Sequence, residues 1–286
     1  MSDCVMSVAE ELQLDVTHGV LAAKRWGDAS LPPLLALHGW LDNAGSFDAL
    51  APLLATRWQV VAIDLRGHGH SAHIAAGAWY HYVDYFDDIR AALDALGWSR
   101  ASLLGHSLGG ALASQFAAIY PERVERLLLI EGLGPLTYTL EDALPRLRQA
   151  LDQHAAFALR RPLRVYATLD EAIEARRLAN DLSHAAARAI VTRGVREVEG
   201  GWVWSSDPRL TVVSPQRYTE DEVLATLAGI QAPTQLVLAD PSTSYLPLSM
   251  MQARADRVAD LRLTRLPGNH HLHLENAPAV AAALLG

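Results

Sequence analysis

The segment Gly105-His106-Ser107-Leu108-Gly109 constrains the fold of this chain more than any other. It is preceded by the apolar run Ala101-Ser102-Leu103-Leu104 and followed by the small residues Gly110-Ala111-Leu112-Ala113-Ser114. A buried strand therefore runs into a serine with glycine at i−2 and i+2, and a helix begins at once. That order is needed where a strand reverses into a helix so sharply that the serine is strained and its Oγ exposed. A Cβ at either glycine would strike the neighbouring strand or helix as the chain doubles back. The turn also puts Ser107 at a helix N-terminus, where unpaired N–H groups face developing negative charge. The pentapeptide alone is a common chance match. Its flanks make Ser107 a candidate nucleophile rather than a serine in an ordinary turn.

The rest of the chain reads as strands alternating with helices. Leu12–Thr17 and Val20–Trp26 alternate as a hairpin turning at His18-Gly19, and Pro33–Leu37 has the short apolar run of a strand buried on both faces. A helix is predicted from Ser46 to Ala55, then a strand over Gln59–Leu65 and an amphipathic helix over Tyr85–Leu96. The helix after Ser107 runs to about Tyr120, and the strand Val124–Ile130 follows. After Glu131 the alternation breaks. Residues 132–215 hold arginine-rich helical patterns around Leu140–Leu159 and Leu169–Arg193, then the strand-like Gly201-Trp202-Val203-Trp204. Alternation resumes with the helix Glu220–Leu227, the strand Thr234–Ala239, the helix Leu248–Val258, the strand Leu261–Leu266 and a helix from Ala277. Such an order implies a mostly parallel, doubly wound sheet. Its core is expected over 1–131 and 216–286, and 132–215 is expected as a helical cap over the carboxyl ends of the strands.

Composition narrows the partners. A formal charge of −8 argues against nucleic acid. The single cysteine, Cys4, forms no intramolecular disulfide, the start shows no signal peptide, and no apolar run approaches a membrane span. A soluble, cytoplasmic protein is expected, as a monomer or homodimer. The cap is nearly neutral, with eleven arginines against ten acidic residues. With Trp202 and Trp204 it points to a neutral or partly apolar substrate.

Acyl transfer through serine needs a base, an acid that orients the base, and N–H donors for the oxyanion. His270, in Gly268-Asn269-His270-His271-Leu272-His273, follows the last strand and is the expected base, with His271 its rival. Three histidines in four residues also raise a metal site, but no ligand pair at helical spacing accompanies them, so neither metal nor cofactor is expected. Leu37-His38-Gly39-Trp40 leaves a buried strand, and the amides of Trp40 and Leu108 are the expected oxyanion donors. Trp40 and His106 are the expected substrate contacts, although His106, flanking the nucleophile, also reads as packing under the turn. Asp64 and Arg66 read as organisers of their loop. Trp79, Tyr80, Tyr82 and Tyr85 fit either a pocket border or helix packing.

Together with Asp64-x-Arg66-Gly67-x-Gly69-x-Ser71, these motifs resemble the α/β-hydrolase superfamily. More narrowly, His38-Gly39-Trp40-Leu41-Asp42-Asn43-Ala44-x-Ser46-Phe47 and Asp207-x-Arg209-Leu210 are similar to the serine hydrolase-like protein family. The resemblance implies an α/β-hydrolase fold with an inserted cap and a serine hydrolase acting on a small-molecule ester, thioester or related acyl compound through an acyl-enzyme. It leaves the acid open. In most relatives the acid lies just past the strand written here Leu236–Ala239, where this chain has Asp240-Pro241-Ser242. Some superfamily members, certain haloalkane dehalogenases among them, place it at the end of the preceding strand, the position of Glu131. Glu131 is the first choice and Asp240 the alternative. Two other functions stay open: carbon–carbon bond hydrolysis or perhydrolysis on the same residues, and a non-catalytic small-molecule receptor reusing the fold.

Overall fold

The computed structural model describes residues 9–159, 163–243 and 246–286; Cys4 lies outside them. The elements before the insertion are β1 (Glu10–Val16), β2 (Gly19–Trp26), β3 (Pro33–Leu37), α1 (Ala51–Leu54), β4 (Gln59–Ile63), α2 (Asp84–Ala95), β5 (Ala101–His106), α3 (Leu108–Ile119) and β6 (Val124–Ile130). The insertion carries α4 (Ala143–Ala155), α5 (Leu169–Asn180), α6 (His184–Gly194), β7 (Val195–Val198) and β8 (Gly201–Trp204). The chain returns through α7 (Glu220–Leu227), β9 (Thr234–Asp240), α8 (Leu248–Ala255), β10 (Leu261–Pro267), α9 (Leu272–Glu275) and α10 (Ala277–Leu285).

Eight strands form one sheet in the order β1-β2-β4-β3-β5-β6-β9-β10. Only β2 runs against its neighbours; every other pairing is parallel. Both faces are covered, and the central strands are apolar at every position for that reason. Leu35, Leu37, Val61, Ile63, Leu127 and Leu129 face the core beneath α2, α3, α7 and α8. The residues between them, Leu34, Ala36, Val60, Ala62, Leu128 and Ile130, face the core beneath α1 and α10. This is the doubly wound architecture of an α/β-hydrolase fold.

The predicted helix over 46–55 is instead a 3₁₀ turn, Ala44–Phe47, followed by the four-residue α1 with Pro52 near its start. Proline at position 52 has no N–H to donate into a continuing helix and its ring would strike the carbonyl one turn back, so the segment restarts there. The pattern over Leu169–Arg193 divides into α5 and α6 because Asp181 turns left-handed with φ of 52° and Ser183 caps the new helix. β7 goes unpredicted: Val195-Arg196-Glu197-Val198 is too short and charged to read as a strand alone, and it forms by pairing with β8.

The insertion has an apolar core of its own, built from Tyr166, Ile173, Leu182, Ile190, Val191 and Val195 with Trp202 and Trp204 packed against it. Its attachment to the sheet is largely polar. Arg193 of α6, itself buried, reaches Asp64 at 2.9 Å and Glu11 at 2.7 Å, and Asn43 donates to the Ile190 carbonyl at 2.8 Å. α4 docks differently. Arg146 donates to the Ser214 carbonyl and Gln153 accepts from the Val213 N–H, while Leu144, Leu147 and Leu151 face solvent.

Candidate active site

Ser107 occupies the turn between β5 and α3 with φ of 52° and ψ of −113°. A non-glycine residue there costs about 1–3 kcal/mol and persists only when its surroundings dictate it. They do: the Ser107 N–H donates to the Ile130 carbonyl, and its own carbonyl accepts from Ala111, both at 2.9 Å. The flanking glycines are required by contact. A Cβ on Gly109 would sit 1.9 Å from the Leu37 carbonyl oxygen, and one on Gly105 would sit 2.4 Å from the Gly109 carbonyl oxygen.

His270 arrives on the loop between β10 and α9. Its Nε2 lies 2.9 Å from Ser107 Oγ and its Nδ1 lies 3.0 Å from Glu131 Oε2. Glu131 directly follows β6, which neighbours β5, and it too has positive φ (51°). Its N–H donates to the Val237 carbonyl at 2.9 Å, and its Oε1 accepts the Ala239 N–H at 2.5 Å. The carboxylate is thus buried, fixed at both oxygens and aimed at the imidazole. Asp240 is placed otherwise. Its side chain is half exposed and pairs with Arg265 at 2.6 Å, on the surface side of the sheet end. The structure brings Glu131 to His270 and leaves Asp240 away from it.

The loops carrying Trp40 and Leu108 leave neighbouring strands, since Leu37 of β3 pairs with Gly105 of β5. His38 holds the first loop. Its Nε2 accepts the Leu65 N–H at 2.9 Å, so the ring proton is on Nδ1, which donates to the Gly39 carbonyl at 2.7 Å. Trp40 is 51% exposed, outside the core, with its indole N–H on the Leu210 carbonyl. Trp40 and Leu108 border a cavity of about 140 Å³ that Trp79, Tyr80, Tyr82 and Tyr85 also line. Those four aromatics therefore belong to the pocket. Asp64 acts as the loop organiser expected: its carboxylate accepts the Ala44 and His70 N–H groups besides pairing with Arg193.

Two expectations need correction, and one alternative falls away. His106 is buried beneath the turn, bonded through Nε2 to the His270 carbonyl at 2.8 Å, and does not reach the cavity. Its place at i−1 of the nucleophile turns it to the opposite side from Ser107. Trp202 and Trp204 fill the core of the insertion instead of a substrate pocket. His271 does not meet Ser107; its Nε2 lies 3.7 Å from Asp42, which also binds Arg176 of α5. Burial pushes the Asp42 carboxyl up, but hydrogen bonding and charge from His271 and Arg176 prevail and hold it well below the usual carboxylate range. Sequence reading gave Asp42 and Arg176 no role, because the pair joins positions far apart in the chain. No group of three or more metal-ligating side chains occurs among the described residues.

The buried histidines give a pH signature. Desolvation lowers His68 and His273 to about 3, and it also lowers His38 and His106. Each stays neutral in the folded protein while the unfolded chain takes up a proton below about pH 6.5. Stability is then intact above that pH and falls as the pH drops, by about 1.4 kcal/mol per unit per histidine, down to the folded values. Urea unfolding at pH 7, 6 and 5 should show this slope. His273→Leu, which removes a ring with neither nitrogen hydrogen-bonded among the described residues, should flatten it by about one histidine's share.

Residues 32–277 match the family described as alpha/beta hydrolase fold. The chain belongs to the α/β-hydrolase family. Within it, this hydrolase groups with serine hydrolase-like proteins. One from Danio rerio is 36% identical over 286 residues, 96% of this chain and 87% of the relative. Serine hydrolase-like protein 2 of Homo sapiens is 32% identical over 292 residues, 96% and 92% of the two chains. Among solved structures, a hypothetical protein from Pseudomonas aeruginosa PAO1 superposes with a TM-score of 0.89 at 42% identity, covering 96% of each chain. The thioesterase domain from the curacin biosynthetic pathway superposes with a TM-score of 0.86 at 27% identity, covering 98% and 100%. No helix among the described residues is long and apolar enough to cross a membrane.

Proposed function

We propose that this hydrolase uses Ser107, His270 and Glu131 to cleave a small ester or thioester through an acyl-enzyme, with 132–215 as its cap. One observation carries the reading: the unbroken chain Ser107 Oγ, His270 Nε2, His270 Nδ1, Glu131 Oε2, with links of 2.9 and 3.0 Å. Glu131 fixes the imidazole with its proton on Nδ1, so that Nε2 is the nitrogen that accepts. Ser107 Oγ attacks the carbonyl carbon as its proton passes to His270 Nε2. The oxyanion forms against the N–H groups of Trp40 and Leu108, the second at the first position of α3, where the helix dipole adds to the donor. The tetrahedral intermediate collapses, His270 returns the proton to the leaving alcohol or thiol, and Ser107 carries the acyl group. Water, activated by the same imidazole, reverses the sequence and releases the acid.

The likeness to the curacin thioesterase domain favours oxygen or sulfur esters over carbon–carbon bond cleavage. The intact relay favours an enzyme over a receptor, which has no need of a base aligned on a strained serine. A fluorophosphonate probe tests the proposal. The native protein should label once, at Ser107, and lose the label on heat denaturation and in Ser107→Ala. A folded protein that fails to label refutes it.

A further inference from the structure

Among the described residues, every buried or half-buried arginine has a carboxylate in ion-pair contact, with two exceptions. Arg66 meets Asp88, Arg176 meets Asp42, Arg193 meets Asp64, Arg209 meets Asp207 and Arg254 meets Glu220. Arg146 and Arg217 are half-buried and have no such partner. Carboxylates are not scarce, since the chain holds 32 acidic residues against 24 lysines and arginines. They are absent from this one place.

Both arginines sit at the joint between insertion and core. Arg146 belongs to α4, and its Nε donates to the Ser214 carbonyl at 3.0 Å. Arg217 belongs to the returning segment, and its Nη1 donates to the Thr137 carbonyl at 3.4 Å. The outgoing and returning chains are tied beside them, with the Tyr138 N–H on the Tyr218 carbonyl at 3.2 Å. The two lie close enough to act on each other: burial, and then the charge of Arg146, lower the Arg217 guanidinium from its ordinary value. Burial lowers Arg146 as well, against the opposing charge of Asp142. Acids nearby are committed elsewhere. Asp142 accepts the Thr139 N–H and hydroxyl at the cap before α4, and Glu220 is held by Arg254 and Thr137.

Each guanidinium stays charged at any working pH and has one N–H group bonded to a carbonyl. Their other nitrogens bond to nothing among the described residues and are not sealed from solvent. Two like charges, each partly stripped of water and lacking a counter-ion, are costly. A group with two or three terminal oxygens answers both needs. It neutralises the pair and accepts the forked N–H groups in the geometry by which guanidinium binds carboxylate and phosphate.

We infer that Arg146 and Arg217 form an oxyanion-binding site at this joint, which takes a carboxylate or phosphate group. Ser214, whose carbonyl accepts from Arg146, also lines the cleft bordered by Trp40 and Leu108. The anion therefore has two sources, the far end of an ester bound in that cleft or free phosphate. Only the first rests on the serine-hydrolase reading.

Calorimetric titration with inorganic phosphate at low ionic strength tests the site, with sodium chloride as the control. The native protein should bind one phosphate per chain. Arg146→Gln and Arg217→Gln should each weaken that binding by at least about tenfold, the scale of a lost charge-assisted hydrogen bond. Arg148→Gln, on the same helix but exposed beside Asp152, should leave it unchanged. Circular dichroism checks folding, and should one variant fail to fold, the other carries the comparison. The source is read from p-nitrophenyl monoesters of adipic, suberic and sebacic acids against the hexanoyl, octanoyl and decanoyl esters of equal chain length. If the substrate supplies the anion, at least one diacid ester should exceed its neutral partner in kcat/KM by roughly tenfold. Phosphate should then compete with that ester, and Arg217→Gln should erase the excess. If phosphate binds and neither series responds to it, the ligand is the free anion. Native protein that neither binds phosphate nor favours a diacid ester overturns the site, as does either property surviving both substitutions. Fluorophosphonate labelling of the same preparation keeps the two readings apart. Protein that binds phosphate but never labels loses the hydrolase chemistry and keeps the site; protein that labels but shows neither property loses the site alone.

Discussion

Ser107→Ala should lower kcat for a p-nitrophenyl ester by a factor on the order of 10⁶ while leaving the protein folded. The loss is large because no other group can carry the acyl chain, and it falls on kcat because Oγ reacts with the bound ester rather than holding it. KM should change only a few-fold. Both N–H donors remain in the variant, so a residual rate above that in water should persist. Alanine meets the same backbone strain that Ser107 meets at φ of 52°, so the unfolding midpoint should move little. Steady-state kinetics and thermal unfolding on one preparation check both parts. A variant that keeps more than a tenth of the native rate would place the nucleophile elsewhere.

Where sequence was a good guide, the signal was local. β3, β6 and α7 fall where apolar runs and capping residues put them; Thr219 and Glu222 form the reciprocal cap that starts α7. The Ser107 turn was legible because sterics fix both glycines, and a contact of 1.9 Å tolerates no exception. The polar joints between sheet and insertion were not legible. Arg193 to Asp64 and Arg176 to Asp42 join residues whose partners depend on the whole insertion folding back onto the strand ends. No periodicity announces such a pairing. The aromatics at 79, 80, 82 and 85 illustrate the intermediate case. Their types were informative, yet pocket lining and helix packing use the same side chains, and only the position of Arg209–Ser214 opposite them decides.

The acid posed the hardest problem in the sequence, and one pair of substitutions isolates it. Glu131→Gln should reduce kcat by about 10⁴, whereas Asp240→Asn should leave it within about twofold. The asymmetry follows from hydrogen-bond direction. Glu131 Oε1 accepts the Ala239 N–H, so a glutamine must keep its carbonyl oxygen there, since its NH₂ would oppose another donor. That forces the NH₂ toward His270 Nδ1, which must then accept. The ring proton moves to Nε2, and the nitrogen facing Ser107 Oγ can no longer take its proton. Size and burial are nearly unchanged, so the folded structure should survive and the defect should sit in kcat. Asp240 faces a different situation. Its pairing with Arg265 joins two side chains 52% and 38% exposed, a contact worth about 1 kcal/mol or less, and it touches no reacting atom. Rates measured at saturating ester, with unfolding midpoints as control, decide between them. If Asp240→Asn is crippled and Glu131→Gln is not, the imidazole must swing to the other strand end during turnover, and the relay described here is not the one that works.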